Sequence, residues 1–172
     1  MNIVDLLKDP NKTREILEDA INKKNKELAE ALIPIVKNPW LVERYAERIV
    51  KGRVKEEWED IIIQNTHVTH MYVAKIIKGP WPKGEEAIAS DHINALNYAE
   101  NILKGPFPKG EEVISHFATE SYLYARKILK DRFIKGEKII ISDLLYLTDY
   151  VNFLKEINKL NEFLKDHPEV KL

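Results

Sequence analysis

Apolar residues recur along most of this chain at the spacing of amphipathic helices. In its middle, one apolar stripe occupies positions i, i+1, i+4 and i+5: Tyr98, Ala99, Ile102 and Leu103. Side chains at these positions fall on one face of a helix. The same stripe recurs around Tyr72 and Tyr124. The pattern predicts an all-α protein in which each helix buries one apolar face.

Five tyrosines mark an internal repeat. They are Tyr45, Tyr72, Tyr98, Tyr124 and Tyr150, at successive intervals of 27, 26, 26 and 26 residues. A period between about 20 and 50 residues is typical of stacked supersecondary units, none of which can bury its apolar face alone. The sequence therefore predicts a short helical-repeat solenoid of two-helix units, each roughly 26 residues long.

Each unit is predicted to hold a short first helix and a longer second helix. The first begins with a glutamate directly after a glycine, where the carboxylate opposes the positive end of the helix dipole: Glu85, Glu111 and Glu137. The second begins after a residue that can cap its N-terminus: Asn38, Asn65, Asp91 and Asp143. Phe117 stands at this position in the remaining unit, and there we expect the helix to start one or two residues away.

Two nearly identical segments, KGPWPKGEEAI (78–88) and KGPFPKGEEVI (104–114), join one unit to the next. Each is interpreted as a helix end, a stiff crossing and the start of the following helix. We expect Gly52, Gly79 and Gly105 to be the left-handed residues that end the second helices. Asp131 replaces glycine in the fourth unit.

The two ends of the chain depart from the repeat as capping units would. Residues 1–37 are predicted to form an N-terminal cap with helices over residues 11–23 and 25–36. The tandem repeats span residues 38–142. Residues 143–172 are predicted to form one long capping helix, ending near His167-Pro168, and a tail. These parts together are expected to make a single domain, residues 1–172.

Composition and charge narrow the chemistry. The formal net charge is -1, so no global field draws the chain to nucleic acid or to an anionic membrane. It contains no cysteine, which excludes disulfides, zinc–thiolate sites and thiol nucleophiles. No apolar run approaches the roughly 18 residues of a membrane span, and the N-terminus lacks the pattern of a signal peptide. We expect a cytoplasmic protein without membrane contact.

No convergent catalytic set is recognisable, and we expect neither enzymatic activity nor a cofactor. The recurring glutamates are interpreted as helix-start charges that also bond a neighbouring tyrosine hydroxyl or a backbone donor. His67 and His70 stand at i and i+3, which is half of a metal site, but no third ligand accompanies them. Metal-dependent hydrolysis there ranks last among the hypotheses.

Three kinds of candidate binding residue remain. An aromatic column of Trp81, Phe107 and Phe133 either seals the joints between units, which we favour, or forms an exposed interaction strip. Basic residues of the turns would form a ridge if the units stack: Lys51, Arg53, Lys78, Lys83, Lys104, Lys109, Lys130, Arg132 and Lys135. The second helices also vary most at His70, Asn97, Tyr122 and Asp149, which makes their face a further candidate.

The repeat resembles short tandem units of the form "YA..vlKGrfp.gE..I" in proteins of tailed bacteriophages and other large DNA viruses. YAENILKGPFPKGEEVI (98–114) and its copies carry the likeness, which extends from Tyr45 to about Tyr150. The resemblance implies an all-helical repeat fold and a viral source, with the host cytoplasm as location. It implies no catalytic residues.

These observations favour a non-enzymatic protein-binding module, because solenoids present extended binding surfaces. If the viral resemblance holds, the module would be a phage-encoded inhibitor or modulator of a host or defence protein. The alternative is binding of nucleic acid, or of another phosphate backbone, through the ridge of lysines.

Overall fold

A computed structural model of the protein describes residues 9–171 and shows helices joined by short turns, with no strand in that range. The all-α prediction is confirmed. The chain divides into two compact units, residues 1–87 and residues 88–172, each longer than one repeat of the sequence. The continuous solenoid and the single domain stay predictions.

Over residues 9–87, the first unit contains five α-helices and the start of a sixth. They are α1 (Pro10–Asn22), α2 (Lys26–Val36), α3 (Pro39–Tyr45), α4 (Glu56–Ile62), α5 (Thr66–Tyr72) and α6 (Glu85–Ile88), and the division between the units falls inside α6. The second unit continues with α7 (His92–Asn97), α8 (Glu111–Ile114), α9 (Ala118–Leu123), α10 (Ile134–Ile141), α11 (Leu144–Glu156) and α12 (Leu160–Asp166). Short 3-10 turns at Pro82–Gly84 and Pro108–Gly110 precede α6 and α8. Helices α1 and α2 confirm the two predicted for residues 11–23 and 25–36.

Side chains cap the second helices as predicted. Asn38, Asn65 and Asp91 each accept a hydrogen bond from the backbone N–H three residues further on. Asp143 accepts two such bonds at the start of α11. The shift expected at Phe117 is wrong, because this residue keeps the extended N-cap conformation and α9 begins directly after it. Helix α9 packs against α7, α10 and α11 and begins without a polar cap.

The second helices change their winding near the tyrosine. Directly after α3, α5, α7 and α9, the chain continues as a π-helix over Ala46–Val50, Val73–Ile77, Tyr98–Leu103 and Tyr124–Leu129. Each π-helix ends at a left-handed lysine, with φ between 52° and 57°: Lys51, Lys78, Lys104 and Lys130. No glycine among the described residues has positive φ, so the assignment of the left-handed positions to Gly52, Gly79 and Gly105 is wrong. Asp131 can replace glycine after Lys130 because Lys130 itself adopts the left-handed conformation.

A different set of glycines is required by packing. A Cβ atom on Gly84, Gly110 or Gly136 would come within 2.3, 2.6 and 2.5 Å of the rings of Trp81, Phe107 and Phe133 respectively. Gly52 and Gly79 have no neighbouring atom within 4 Å of such a position. The second glycine of the KGPFPKG segment is therefore the one that the turn needs, since the aromatic ring lies directly on it.

The repeated tyrosines form the core. All five are at most 1% exposed, and ring contacts pair Tyr72 with Trp81, Tyr98 with Phe107 and Tyr124 with Phe133 at centroid distances of 5.3, 5.0 and 4.9 Å. Burying an aromatic ring contributes on the order of 2–3 kcal/mol, so these pairs dominate the core energetically. The period seen in the sequence is the period of these rings.

The hydroxyls of Tyr72, Tyr124 and Tyr150 each also fasten a turn. The backbone N–H of Phe107 donates to Tyr124 Oη at 2.8 Å, and that hydroxyl donates to Glu111 at 3.2 Å. Tyr150 repeats the arrangement with Phe133 and Glu137, and Tyr72 repeats it with Val54 and Glu59. We call this arrangement the tyrosine lock. The predicted bond between the repeated glutamate and a tyrosine is confirmed for Glu111 and Glu137. The predicted helix start at Glu137 is wrong, because α10 begins at Ile134.

The predicted long C-terminal helix is wrong, because α11 ends at Glu156 and α12 starts at Leu160. Asn158 adopts the left-handed conformation (φ 59°) between them. The reversal lets Phe163 pack edge-on against Tyr150 at 5.6 Å. In the last repeat of the sequence, Phe163 thus supplies the aromatic ring that Trp81, Phe107 and Phe133 supply in the earlier repeats.

Candidate binding surface

The aromatic column is not an exposed strip. Trp81, Phe107 and Phe133 are at most 3% exposed, because each ring lies between a tyrosine and a glycine of its own turn. Of the two alternatives, sealing of the joint is confirmed. These three residues are not available as anchors for a partner.

Several residues of the basic ridge are already neutralised by carboxylates within their own unit. In the first unit Arg53 pairs with Glu59, and Lys83 lies 2.7 Å from Asp60. In the second unit Arg132 pairs with Glu137 and Asp166, and Lys135 lies 2.7 Å from Glu111. Lys109 is exposed and also has a partner. A ridge of nine free charges therefore does not exist.

Four lysines keep free ammonium groups. Within residues 9–171, no carboxylate pairs with the left-handed Lys51, Lys78, Lys104 or Lys130, and all four are exposed. The left-handed backbone favours glycine or asparagine over lysine. The positive end of each side chain nevertheless complements the negative end of the helix that it terminates, which offsets part of that cost.

The variable positions of the second helices are less accessible than expected. Tyr122 is buried, its ring lies 6.1 Å from that of Tyr146, and its hydroxyl accepts a 2.7 Å hydrogen bond from Arg126. Asn97 and His70 are half-buried, and His70 has a partner. Neither side chain projects freely from the surface.

The histidine pair does not converge on a metal site with other ligands. His67 packs its ring 5.6 Å from that of Trp40. Among residues 9–171 no group of three or more His, Cys, Asp and Glu side chains is placed to hold a metal ion.

The second unit exposes an apolar row that the sequence analysis did not single out. Its members lie at the N-terminal ends of α7, α9 and α11, which pack side by side. They are Ile93, Phe117, Leu144 and Leu145, and we call them the apolar row. Leu144 and Leu145 are 80% and 66% exposed. Large apolar side chains grouped at one surface are typical of interaction sites.

One member of the row is held rigidly. The ring of Phe117 stacks on that of His92, with centroids 3.6 Å apart and planes 12° apart. His92 Nδ1 lies 3.3 Å from a carboxylate oxygen of Glu120 without forming a hydrogen bond. Rigid aromatic side chains are effective anchors because binding costs them little conformational entropy.

A groove of about 410 Å³ lies between α8 and α10. Its lining residues are Ser115, His116, Lys135, Lys138, Ile139 and Ser142. His116 directly precedes Phe117, and Ser142 stands two residues before Leu144. Both walls of the groove therefore continue along the chain into the apolar row.

The first unit has a corresponding groove of different charge. It measures about 470 Å³, lies between α2 and α4, and is lined by Pro34, Lys37, Glu57, Trp58, Asp60, Ile61 and Gln64. The exposed Trp40 is the first unit's counterpart of the apolar row, and it is partly covered by His67. The exposed large apolar side chains described in the first unit, which include Leu28, Ile35 and Val50, are 37–45% exposed, against 80% and 66% for Leu144 and Leu145.

Comparison of the chain with protein-family models, with curated proteins and with solved structures finds no match. Across the part of the chain that the structure describes, no helix is both long and apolar enough to cross a membrane. What the surface does has to be inferred from its own geometry.

Proposed function

We propose that the protein is a protein-binding module and that the apolar row of the second unit is its contact surface. The observation that carries the proposal is the exposure of Ile93, Phe117, Leu144 and Leu145 at adjoining helix ends. Fully burying one leucine side chain contributes on the order of 2 kcal/mol, so four such residues can anchor a specific complex.

The row suits a binding role better than a packing role. Folding has already buried the tyrosines and turn aromatics, so the row is not needed for the core of its own unit. The N-cap position of α9 carries Phe117 in place of a capping side chain. An apolar residue there forgoes about 1 kcal/mol of capping energy, which is understandable if the ring serves a contact.

The resemblance of the repeat to viral tandem units extends the proposal to a partner in an infected cell. In that form, the protein acts as an inhibitor or modulator that occupies a surface of a host or defence protein. Such an action requires no catalytic residue.

Affinity capture with matched variants tests the proposal. The wild-type chain, a Leu144→Asp/Leu145→Asp variant and a Lys104→Glu/Lys130→Glu control would be immobilised and incubated with nuclease-treated lysate of the cells in which the protein occurs. We expect a stoichiometric protein partner that the lysine control retains and the leucine variant loses by at least roughly ten-fold. Equal retention by the leucine variant would contradict the proposal.

A second candidate function is binding of a phosphate backbone, favoured by the four unpaired left-handed lysines. Fluorescence anisotropy with single-stranded nucleic acid at increasing salt tests it. We expect affinity to fall steeply with salt and with the substitutions Lys104→Glu and Lys130→Glu. Affinity that neither salt nor these substitutions changes would remove this candidate.

A further inference from the structure

We propose that the partner enters as a polypeptide segment that lays apolar side chains on the apolar row and places a carboxylate in the groove between α8 and α10. The inference rests on the proposed function, since it specifies the chemistry of what the apolar row binds. Its basis is the charge of the groove and its continuity with the row.

The groove offers cations to a ligand. Two of its six lining residues are lysines and none is a carboxylate. Lys138 is exposed and makes no ion pair within residues 9–171, whereas Lys135 already pairs with Glu111. The free ammonium group available to a partner is therefore that of Lys138.

The carboxylates around the groove are mostly engaged. Glu111 bonds Tyr124 and Lys135, Asp143 caps α11, and Glu120 faces His92. Exposed Glu112 stands on α8 beside the groove. Glu112 opposes an incoming carboxylate, and replacing it with lysine should therefore strengthen binding.

The geometry selects a protein segment over a lipid surface. The groove is concave, and its lining residues His116 and Ser142 stand one and two residues before Phe117 and Leu144 in the chain. A chain that lays apolar side chains on the row can follow the groove and place a carboxylate beside Lys138. A flat membrane cannot fill such a concavity.

Titration of the isotopically labelled full chain tests the inference by nuclear magnetic resonance. The probes are a short synthetic peptide of alternating leucine and glutamate and the same peptide with lysine in place of glutamate. We expect the glutamate peptide to shift the signals of Lys138 and of the Leu144 and Leu145 methyl groups, and to bind roughly ten-fold more tightly than the lysine peptide at low salt. Lys138→Glu should abolish this preference, and Glu112→Lys should strengthen it.

The outcomes separate this inference from the proposed function. Equal affinity for both peptides, lost in the Leu144→Asp variant, overturns the charge preference and leaves the apolar row as the binding surface. Shifts confined to residues outside the row and groove, or binding only to vesicles of anionic lipid, overturn the acidic segment as ligand. The proposed function itself fails only if the Leu144→Asp/Leu145→Asp variant captures its protein partner unchanged.

Discussion

Glu59 in the first unit and Glu137 in the second occupy the same place in the repeat but have different surroundings. Both carboxylates are fully buried, both accept a tyrosine hydroxyl, and both receive two parallel hydrogen bonds from an arginine. The side chain of Arg53 is 59% exposed, whereas that of Arg132 is 8% exposed.

The C-terminal helix makes the difference. Asp166, at the end of α12, lies 2.8 Å from Arg132, and His167 Nε2 lies 2.8 Å from Glu137. Burial alone would raise the pKa of Glu137, but hydrogen bonds from Arg132, His167 and Tyr150 lower it below its usual value. The lock around Glu137 is thus shielded from solvent, whereas the lock around Glu59 is open to it. We expect the shielded lock to contribute more to the free energy of unfolding.

The largest expected effect comes from removing an arginine. Arg132→Met leaves Glu137 buried without its charge partner, which should lower the free energy of unfolding by about 3–5 kcal/mol. The matched change Arg53→Met should cost about 1–2 kcal/mol, because solvent reaches that side of the pair. Urea denaturation measures the free energy of unfolding of both variants. Equal losses would contradict the difference described between the two locks.

The tyrosine locks of Tyr72 and Tyr124 should weaken over the same range of high pH. Burial raises the pKa of Tyr72 in the first unit and of Tyr124 in the second to about 12. Tyrosine in the unfolded chain ionises near pH 10, so the stabilisation is complete below pH 10 and is lost between about pH 10 and 12. Each lock should lose on the order of 2–3 kcal/mol over that window.

The denaturation midpoint at each pH measures this loss, and the ultraviolet absorbance of tyrosinate provides a second readout. A Tyr124→Phe variant should be less sensitive to alkali than the wild type. Ionisation of the tyrosines near pH 10 without unfolding would show that the locks do not hold the hydroxyls away from water.

The two glycines of one turn should respond oppositely. Gly110→Ala forces a methyl group against the ring of Phe107 and should destabilise by about 1–3 kcal/mol. Gly105→Ala meets no atom closer than 3.9 Å and should be neutral or stabilise by up to about 1 kcal/mol. Gly84→Ala and Gly79→Ala repeat the test in the first unit. Similar effects at both glycines of a turn would contradict the packing described for it.

The smallest effect is expected at the left-handed lysines. Lys104→Gly relieves the backbone cost of the left-handed conformation and should raise the free energy of unfolding by about 0.5–1 kcal/mol. Lys78→Gly in the first unit should behave alike. Thermal denaturation checks both, and destabilisation would show that the lysine side chain contributes more than the backbone strain costs.

Local signals in the sequence were sufficient for the capped starts of the second helices and for the bond between glutamate and tyrosine. N-cap residues and the glutamate thirteen positions before Tyr124 or Tyr150 could be recognised without coordinates, because capping and dipole effects act within one helical turn. The π-helical ends could not, since five residues are too few to distinguish their period from that of an α-helix. Where lysine and glycine are adjacent, the sequence likewise does not show which of the two adopts the left-handed conformation.

The apolar row was missed for a different reason. Phe117 was interpreted only as an exception at the N-cap position, and Leu144 and Leu145 were not singled out. Only the packing of α9 and α11 shows that these residues face solvent. A signal was present, because large apolar residues at or directly after an N-cap are unusual. Conversely, Arg132 and Lys135 looked free in the sequence, and their carboxylates become neighbours only on folding.

Site-specific photo-crosslinking tests the central claim most directly. A crosslinking amino acid would replace Leu144, at the start of α11, in one variant and Lys104, at the end of the π-helix that follows α7, in another. Both variants would be irradiated in nuclease-treated lysate. We predict a discrete protein adduct from position 144 and none from position 104. An adduct from position 104 alone would contradict the assignment of binding to the apolar row.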